Sequence, residues 1–305
     1  MKLNLITMIQ LSLTPIKYSL RYLALIIALF VATTSCDEQD EHPLQSGIDQ
    51  AEIDNFASEE ELQTAYDEID LISVEANESL DDDGSNLGGR EQMDPTDRFT
   101  RCATITHDKE AMTITIDFGD GCEGPDGKIR SGIIFITYTG RLFIPGSVWT
   151  ITFRDYTVNR KKVEGTKTIT NVSGSISDHV SFNKILEGGK ITWPDGTFAT
   201  REVDKTFTWI RANNPLMDEI HVQGEASGMN RRGVAYNVTI ISTVVWKRAC
   251  RLRGVCIPVQ GLKLVERRDH PDVLLDFGDG ECDALVTITK NGESKVVEKD
   301  CDRMD

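Results

Sequence analysis

The chain has 305 residues, of which 49 are acidic and 33 basic, for a formal charge of −16. That balance excludes a nucleic-acid binder that works by neutralising phosphates with a basic face. Hydrophobic residues make up 39% and aromatics 7%, enough for the core of one or two domains while leaving room for a part without one.

Residues 1–35 read as a signal peptide. Lys2, Lys17 and Arg21 are the only charges before a wholly apolar run from Leu23 to Ala32. At about ten residues this run is half the ~20 that a membrane-spanning helix needs, so it reads as the h-region of a secretory signal. Thr33, Thr34 and Ser35 then lead to Cys36, where a signal peptidase would cut. The stretch resembles a bacterial lipobox, which implies that Cys36 becomes the lipidated first residue of the mature chain. Thr33 and Thr34 stand where the commonest lipobox has Leu followed by Ala or Ser. The alternative is an ordinary cleaved signal with Cys36 paired or free. Parity favours the lipid, because seven cysteines less Cys36 leaves six that can all pair. Asp37, Glu38, Asp40 and Glu41 follow at once, and this cluster resembles the surface-export signal of lipoproteins in Bacteroidota. It implies a protein anchored by lipid (palmitate among its acyl chains) to the outer face of the outer membrane.

Residues 36–97 form an acidic arm. From Asp37 to Asp97 there are 21 acidic residues and one basic, Arg90, whereas residues 98–305 hold 28 acidic and 29 basic. Like-charge blocks of this kind stay solvated and extended. One segment departs from that. Ser58 and Glu61 make a capping box, and Leu62, Tyr66, Ile69 and Ile72 fall on or near one stripe, which predicts a helix over about 59–78. The stripe is too narrow to hold the helix alone, so it leans on the folded domain or on a partner. The run Asp81–Asn86 does not fit a calcium loop of the EF-hand type, whose first and twelfth positions would be Ser79 and Arg90. It reads as a tether.

Residues 98–305 read as an all-β domain. Thr113–Gly119, Ile133–Gly140, Trp149–Val158, Val203–Ile210, Val234–Trp246 and Ala284–Lys290 alternate with period two and are rich in Ile, Thr, Val and aromatics. Pro145–Gly146, Gly188–Gly189, Pro194–Gly196 and Asn291–Gly292 mark turns, the last a type I′ hairpin signal. About twelve to fourteen strands with short turns predict an antiparallel meander, since parallel strands need crossover helices. Such a meander buries its apolar face by curling, by closing as a barrel or by stacking as a sandwich.

The string DFGDG occurs at Asp117–Gly121 before Cys122, and again at Asp276–Gly280 before Glu281 and Cys282. Each copy reads as cysteine, two strands, DFGDG, cysteine. The echo favours Cys102–Cys122 and Cys256–Cys282, leaving Cys250 for Cys301. A competing set keeps Cys102–Cys122 and joins Cys250–Cys256 and Cys282–Cys301. Zinc has no CxxC pair to hold it. If the loops aimed their aspartates at one spot, Asp117 with Asp120, or Asp276, Asp279 and Asp283, would offer oxygens to calcium. The simpler reading is a turn in which each Asp caps backbone N–H groups.

Sequence patterns of catalysis are missing. His42, His107, His179, His221 and His270 stand at no ligand or catalytic spacing, and GxSxG, HExxH and P-loop strings do not occur. Of four tryptophans, Trp149, Trp209 and Trp246 lie inside strand patterns, while Trp193 in TWPDGT is the best candidate for an exposed, sugar-stacking ligand contact. Basic clusters at Arg160–Lys162, Arg231–Arg232 and Lys247–Arg253 read as solvated faces, or as docks for the protein's own acidic arm or an acidic polysaccharide. Taken together, the lipobox-like signal, the acidic helix and a β domain with DFGDGC and DFGDGEC resemble uncharacterised surface lipoproteins of Bacteroidota. That resemblance implies location without an activity. The expected role is therefore binding or envelope structure, without catalysis or a cofactor, and with a glycan or an envelope protein as partner. The alternatives are an apolar-ligand carrier in a curled sheet and a glycan-active enzyme using two carboxyl groups.

Overall fold

Runs of β-branched and aromatic residues alternate with threonines and form one antiparallel sheet of 14 strands. The structure is a computed structural model and describes residues 50–78, 99–175 and 179–299. The strands are β1 (Thr104–Asp108), β2 (Thr113–Asp117), β3 (Cys122–Glu123), β4 (Ile129–Tyr138), β5 (Val148–Val158), β6 (Lys161–Asn171) and β7 (Val180–Thr192). They continue as β8 (Phe198–Ile210), β9 (Glu219–Met229), β10 (Ala235–Lys247), β11 (Gln260–Arg267), β12 (His270–Asp279), β13 (Leu285–Lys290) and β14 (Glu293–Glu298). Each pairs with its sequence neighbour, except that β2 pairs directly with β4 and the short β3 also borders β4. The all-β meander expected from the sequence is therefore present, curled but not closed.

Turn chemistry and bulges set this course. Asn291 and Gly292, at φ 52° and 82°, make the expected tight reversal between β13 and β14. Register shifts interrupt the ladders between Glu164 and Thr166 and between Leu186 and Gly189. There Gly165 sits at φ 128°, and a Cβ on it would lie 2.9 Å from the Gly189 Cα. Two backbones meet where a side chain has no room, and bulges of this kind bend a sheet.

Curling leaves an apolar inner face that needs a cover. Helix α1 (Gln50–Glu78) provides it over the first part of the sheet. It begins ahead of the expected capping box, because no Gly or Pro between Gln50 and Ser58 stops a helix there. Leu62, Tyr66, Ile69 and Ile72, the expected stripe, are 1%, 3%, 1% and 0% exposed. They share a core with Ile134 and Ile136 of β4, Ile151 of β5 and Val163 of β6. Leaning on the folded domain is thus what holds the helix, and helix and sheet belong to one compact unit. A second core runs through β9–β13, with Val222, Val238, Val265, Leu275, Phe277 and Ile288.

Trp193 belongs to the first core and is 6% exposed, which corrects its expected place at the surface. The residue continues the inward alternation of Ile191 before the turn at Pro194–Gly196. The guanidinium of Arg231 covers the ring from outside at 4.7 Å and pairs with Asp195. Trp149 is buried as expected, while Trp209 donates from Nε1 to Asp218 at 2.9 Å.

Candidate functional site

The alternation that points Ile and Val inward also points cations inward. Arg130 on β4, Lys167 on β6, Arg201 and Lys205 on β8 and Lys263 on β11 are all buried, and Lys184 on β7 is nearly so. Long side chains need space on a packed face, and β9 supplies it. Gly224 lies across from Lys205 and Gly228 across from Arg201. A row of buried positive charge is costly unless anions meet it.

Helix α1 brings most of those anions. Glu68 accepts from Arg130 Nε at 2.9 Å and from Lys128 Nζ at 2.8 Å, and Asp126 accepts from Arg130 Nη2 at 2.7 Å. Asp70 bridges Lys167 at 2.5 Å and Lys184 at 2.6 Å. Glu59 stands 3.6 Å from Arg201, and Glu61 meets Lys161 at 2.6 Å. Main-chain contacts fix the register of the helix on the sheet. Tyr66 donates to the Glu164 carbonyl at 2.7 Å, and Lys167 donates to the Tyr66 carbonyl at 2.7 Å.

Burial and charge pull these groups in opposite directions. Burial pushes the Asp70 carboxyl up, but Lys167 and Lys184 outweigh it and hold the group below the usual carboxylate range. Burial pushes Lys184 down, and Asp70 and Asp67 together keep it above the ordinary ammonium value. For Lys205 the attraction of Glu59 and Asp67 is outweighed. Burial, then the charges of Arg201 and Lys263, bring its pKa down to about 7.

A small pocket lies between α1 and strands β6–β8. Gln63, Tyr66 and Asp67 border it from the helix, and Lys167, Lys184, Arg201 and Lys205 from the sheet. Leu186, Val203 and Phe207 complete it with apolar wall. Sequence reading missed this site because it assigns charged residues to the outside. The signal available was phase: Lys167 and Lys184 stand in step with Ile169 and Leu186, which are buried.

The DFGDG loops have the simpler of their two expected roles. Asp117 accepts from the Gly119 N–H at 2.8 Å, and Asp276 from the Gly278 N–H at 2.9 Å. Phe118 and Phe277, the middle residues of the two motifs' DFG, are both buried. Asp283 accepts from the Leu285 N–H at 3.2 Å. Asp276, Asp279 and Asp283 do not converge, and among the described residues no group of three or more His, Cys, Asp or Glu could hold a metal. Asp276 and Asp283 spend their carboxylates on these local turns, so the expected calcium grouping of Asp276, Asp279 and Asp283 is not assembled.

Cys102 is bonded to Cys122 as expected, with Cα atoms 5.7 Å apart. Cys250 is bonded to Cys282, Cα atoms 4.9 Å apart, which neither expected set contained. The reason is the short helix α2 (Arg248–Arg251), which turns the chain back as β10 ends. Lys247 Nζ donates to the Gly280 carbonyl at 2.7 Å, and the Gly280 N–H donates to the Val259 carbonyl at 2.8 Å. These contacts seat Cys250 beside the exit of β12 and displace Cys256 from Cys282. Cys256 is itself in a disulfide.

Of the basic clusters, Lys161 docks the acidic arm through Glu61, whereas Arg231 serves Asp195. His221 meets Glu219 at 2.7 Å and His107 bonds the Tyr138 hydroxyl. Cys36, Asp81–Asn86 and Cys301 lie outside the described residues. No helix among the described residues is long and apolar enough to cross a membrane. No protein-family model, curated protein or solved structure matches the chain.

Proposed function

We propose that this protein is a non-enzymatic surface lipoprotein of the Bacteroidota type, anchored in the outer membrane through Cys36, whose β unit binds a ligand or partner of the envelope. The observation that carries the binding reading is the cation-lined pocket at the edge of α1, where charge is held ready on a rigid sheet. Rigid strands position binding groups better than loops do. Export is supported by the oxidised state of Cys102, Cys122, Cys250, Cys256 and Cys282, since disulfides persist outside the cytosol. A carrier of apolar ligand inside the curl would need the space that α1 takes.

Membrane partition of the Cys36→Ser variant tests the anchor. The wild type should sediment with outer membranes and the variant should be released to the soluble fraction. A variant that still sediments, with the same intact mass increment as the wild type, would end the lipoprotein reading.

A further inference from the structure

The pocket beside α1 contains one cation that forms no direct ion pair with a described carboxylate, Glu59 and Asp67 acting on it only from farther away. Lys167 and Lys184 share Asp70, and Arg201 stands near Glu59. Lys205 is 3% exposed and donates only to the side-chain oxygen of Gln63, at 3.4 Å. Among the described residues no carboxylate comes within ion-pair distance of its Nζ. Buried ammonium groups ordinarily have such a partner. Lys205 stands across from Gly224, which leaves its long side chain room on the inner face. It lines the pocket together with Arg201, Gln63 and Asp67.

We propose that this pocket is a binding site for a small oxyanion, a carboxylate or phosphate group, received by Lys205 with Arg201 beside it. The anion supplies the direct ion-pair partner that the fold withholds, at a place where low dielectric strengthens the pairing. Gln63 sets the limit of the site. Being neutral, it satisfies one ammonium proton without filling the charge, and it leaves the remaining donors for a ligand. Leu186, Val203 and Phe207 offer apolar contact to whatever the oxyanion is attached to. The oxyanion is therefore either a free ion or the head of a molecule with a short apolar tail. This site rests on the reading of the β unit as a binding module and is independent of lipid at Cys36.

Calorimetric titration of the full-length mature protein with inorganic phosphate, acetate and octanoate, at constant ionic strength, tests the proposal. At least one of the three should bind, with affinity reduced about tenfold or more in Lys205→Met and retained in Lys205→Arg. Gln63→Glu should also abolish binding, because its carboxylate reaches Lys205 from within. That variant decides the matter if Lys205→Met does not fold. Octanoate binding about tenfold tighter than acetate assigns a tailed ligand, and equal affinity assigns a free ion. Absence of binding by all three, or equal binding by wild type, Lys205→Met and Gln63→Glu, overturns the site. Neither of those results bears on the membrane partition of Cys36→Ser, so the two proposals fail separately.

Discussion

Asp70 and Lys205 are buried charges with opposite accounts. Asp70 has two ammonium partners, so removing its charge leaves both without their shared anion. Asp70→Asn is expected to cost about 3–5 kcal/mol in urea unfolding at neutral pH. Its folded pKa lies below the ordinary 3.8, so the unfolded chain takes up the proton first as pH falls. Asp70 therefore stabilises the fold above pH 3.8 and loses that contribution as pH drops through the folded value. The variant should show a flatter acid limb than the wild type. For Lys205 the sign is reversed. Between about 7 and 10.5 the unfolded chain binds the extra proton, so this residue's cost is full below pH 7 and fades as pH rises. Side-chain roles of this kind were only partly legible in the sequence. The aspartates of DFGDG were readable as caps because an Asx turn is local. Trp193 was misread because a neighbouring Pro-Asp-Gly suggests exposure, whereas strand phase governs where its ring points.

At the scale of elements, period-two alternation and turn chemistry identified most of the sheet, since both are local in sequence. Helix α1 was visible through Leu62, Tyr66, Ile69 and Ile72. What stayed hidden was that Glu59, Glu68, Asp70 and Glu75 are buried with them. The ion-pair partners of Glu59, Glu68 and Asp70 lie 60 to 142 residues further along, as with Lys128 for Glu68 and Arg201 for Glu59, and sequence spacing does not show such contacts. Cysteine pairing failed for a similar reason. The repeat suggested that Cys282 should copy Cys122, but α2 carries Cys250 into that position. Peptide mapping of unreduced protein should recover Cys102 linked to Cys122 and Cys250 linked to Cys282. A peptide joining Cys256 to Cys282 would contradict the placement of α2. Each closed loop, 20 and 32 residues in separation, is worth about 3–4 kcal/mol by the chain-entropy account.

Over the whole molecule, charge is divided between an acidic arm and a near-neutral sheet, and the two halves of that division meet inside the fold. A 14-stranded sheet that curls without closing needs something to cover its inner face, and α1 fills that place with both apolar and ionic contacts. The boundary suggested by composition, between an arm and a β domain, is thus not the boundary of the core. The arm's helical part is as much interior as any strand. Hydrogen exchange on the full-length protein measures this most directly. Amides of Leu62–Ala76 should be protected to the same degree as those of β4–β8 and open together with them. Exchange of the helix at free-peptide rates while the strands stay protected would contradict the account.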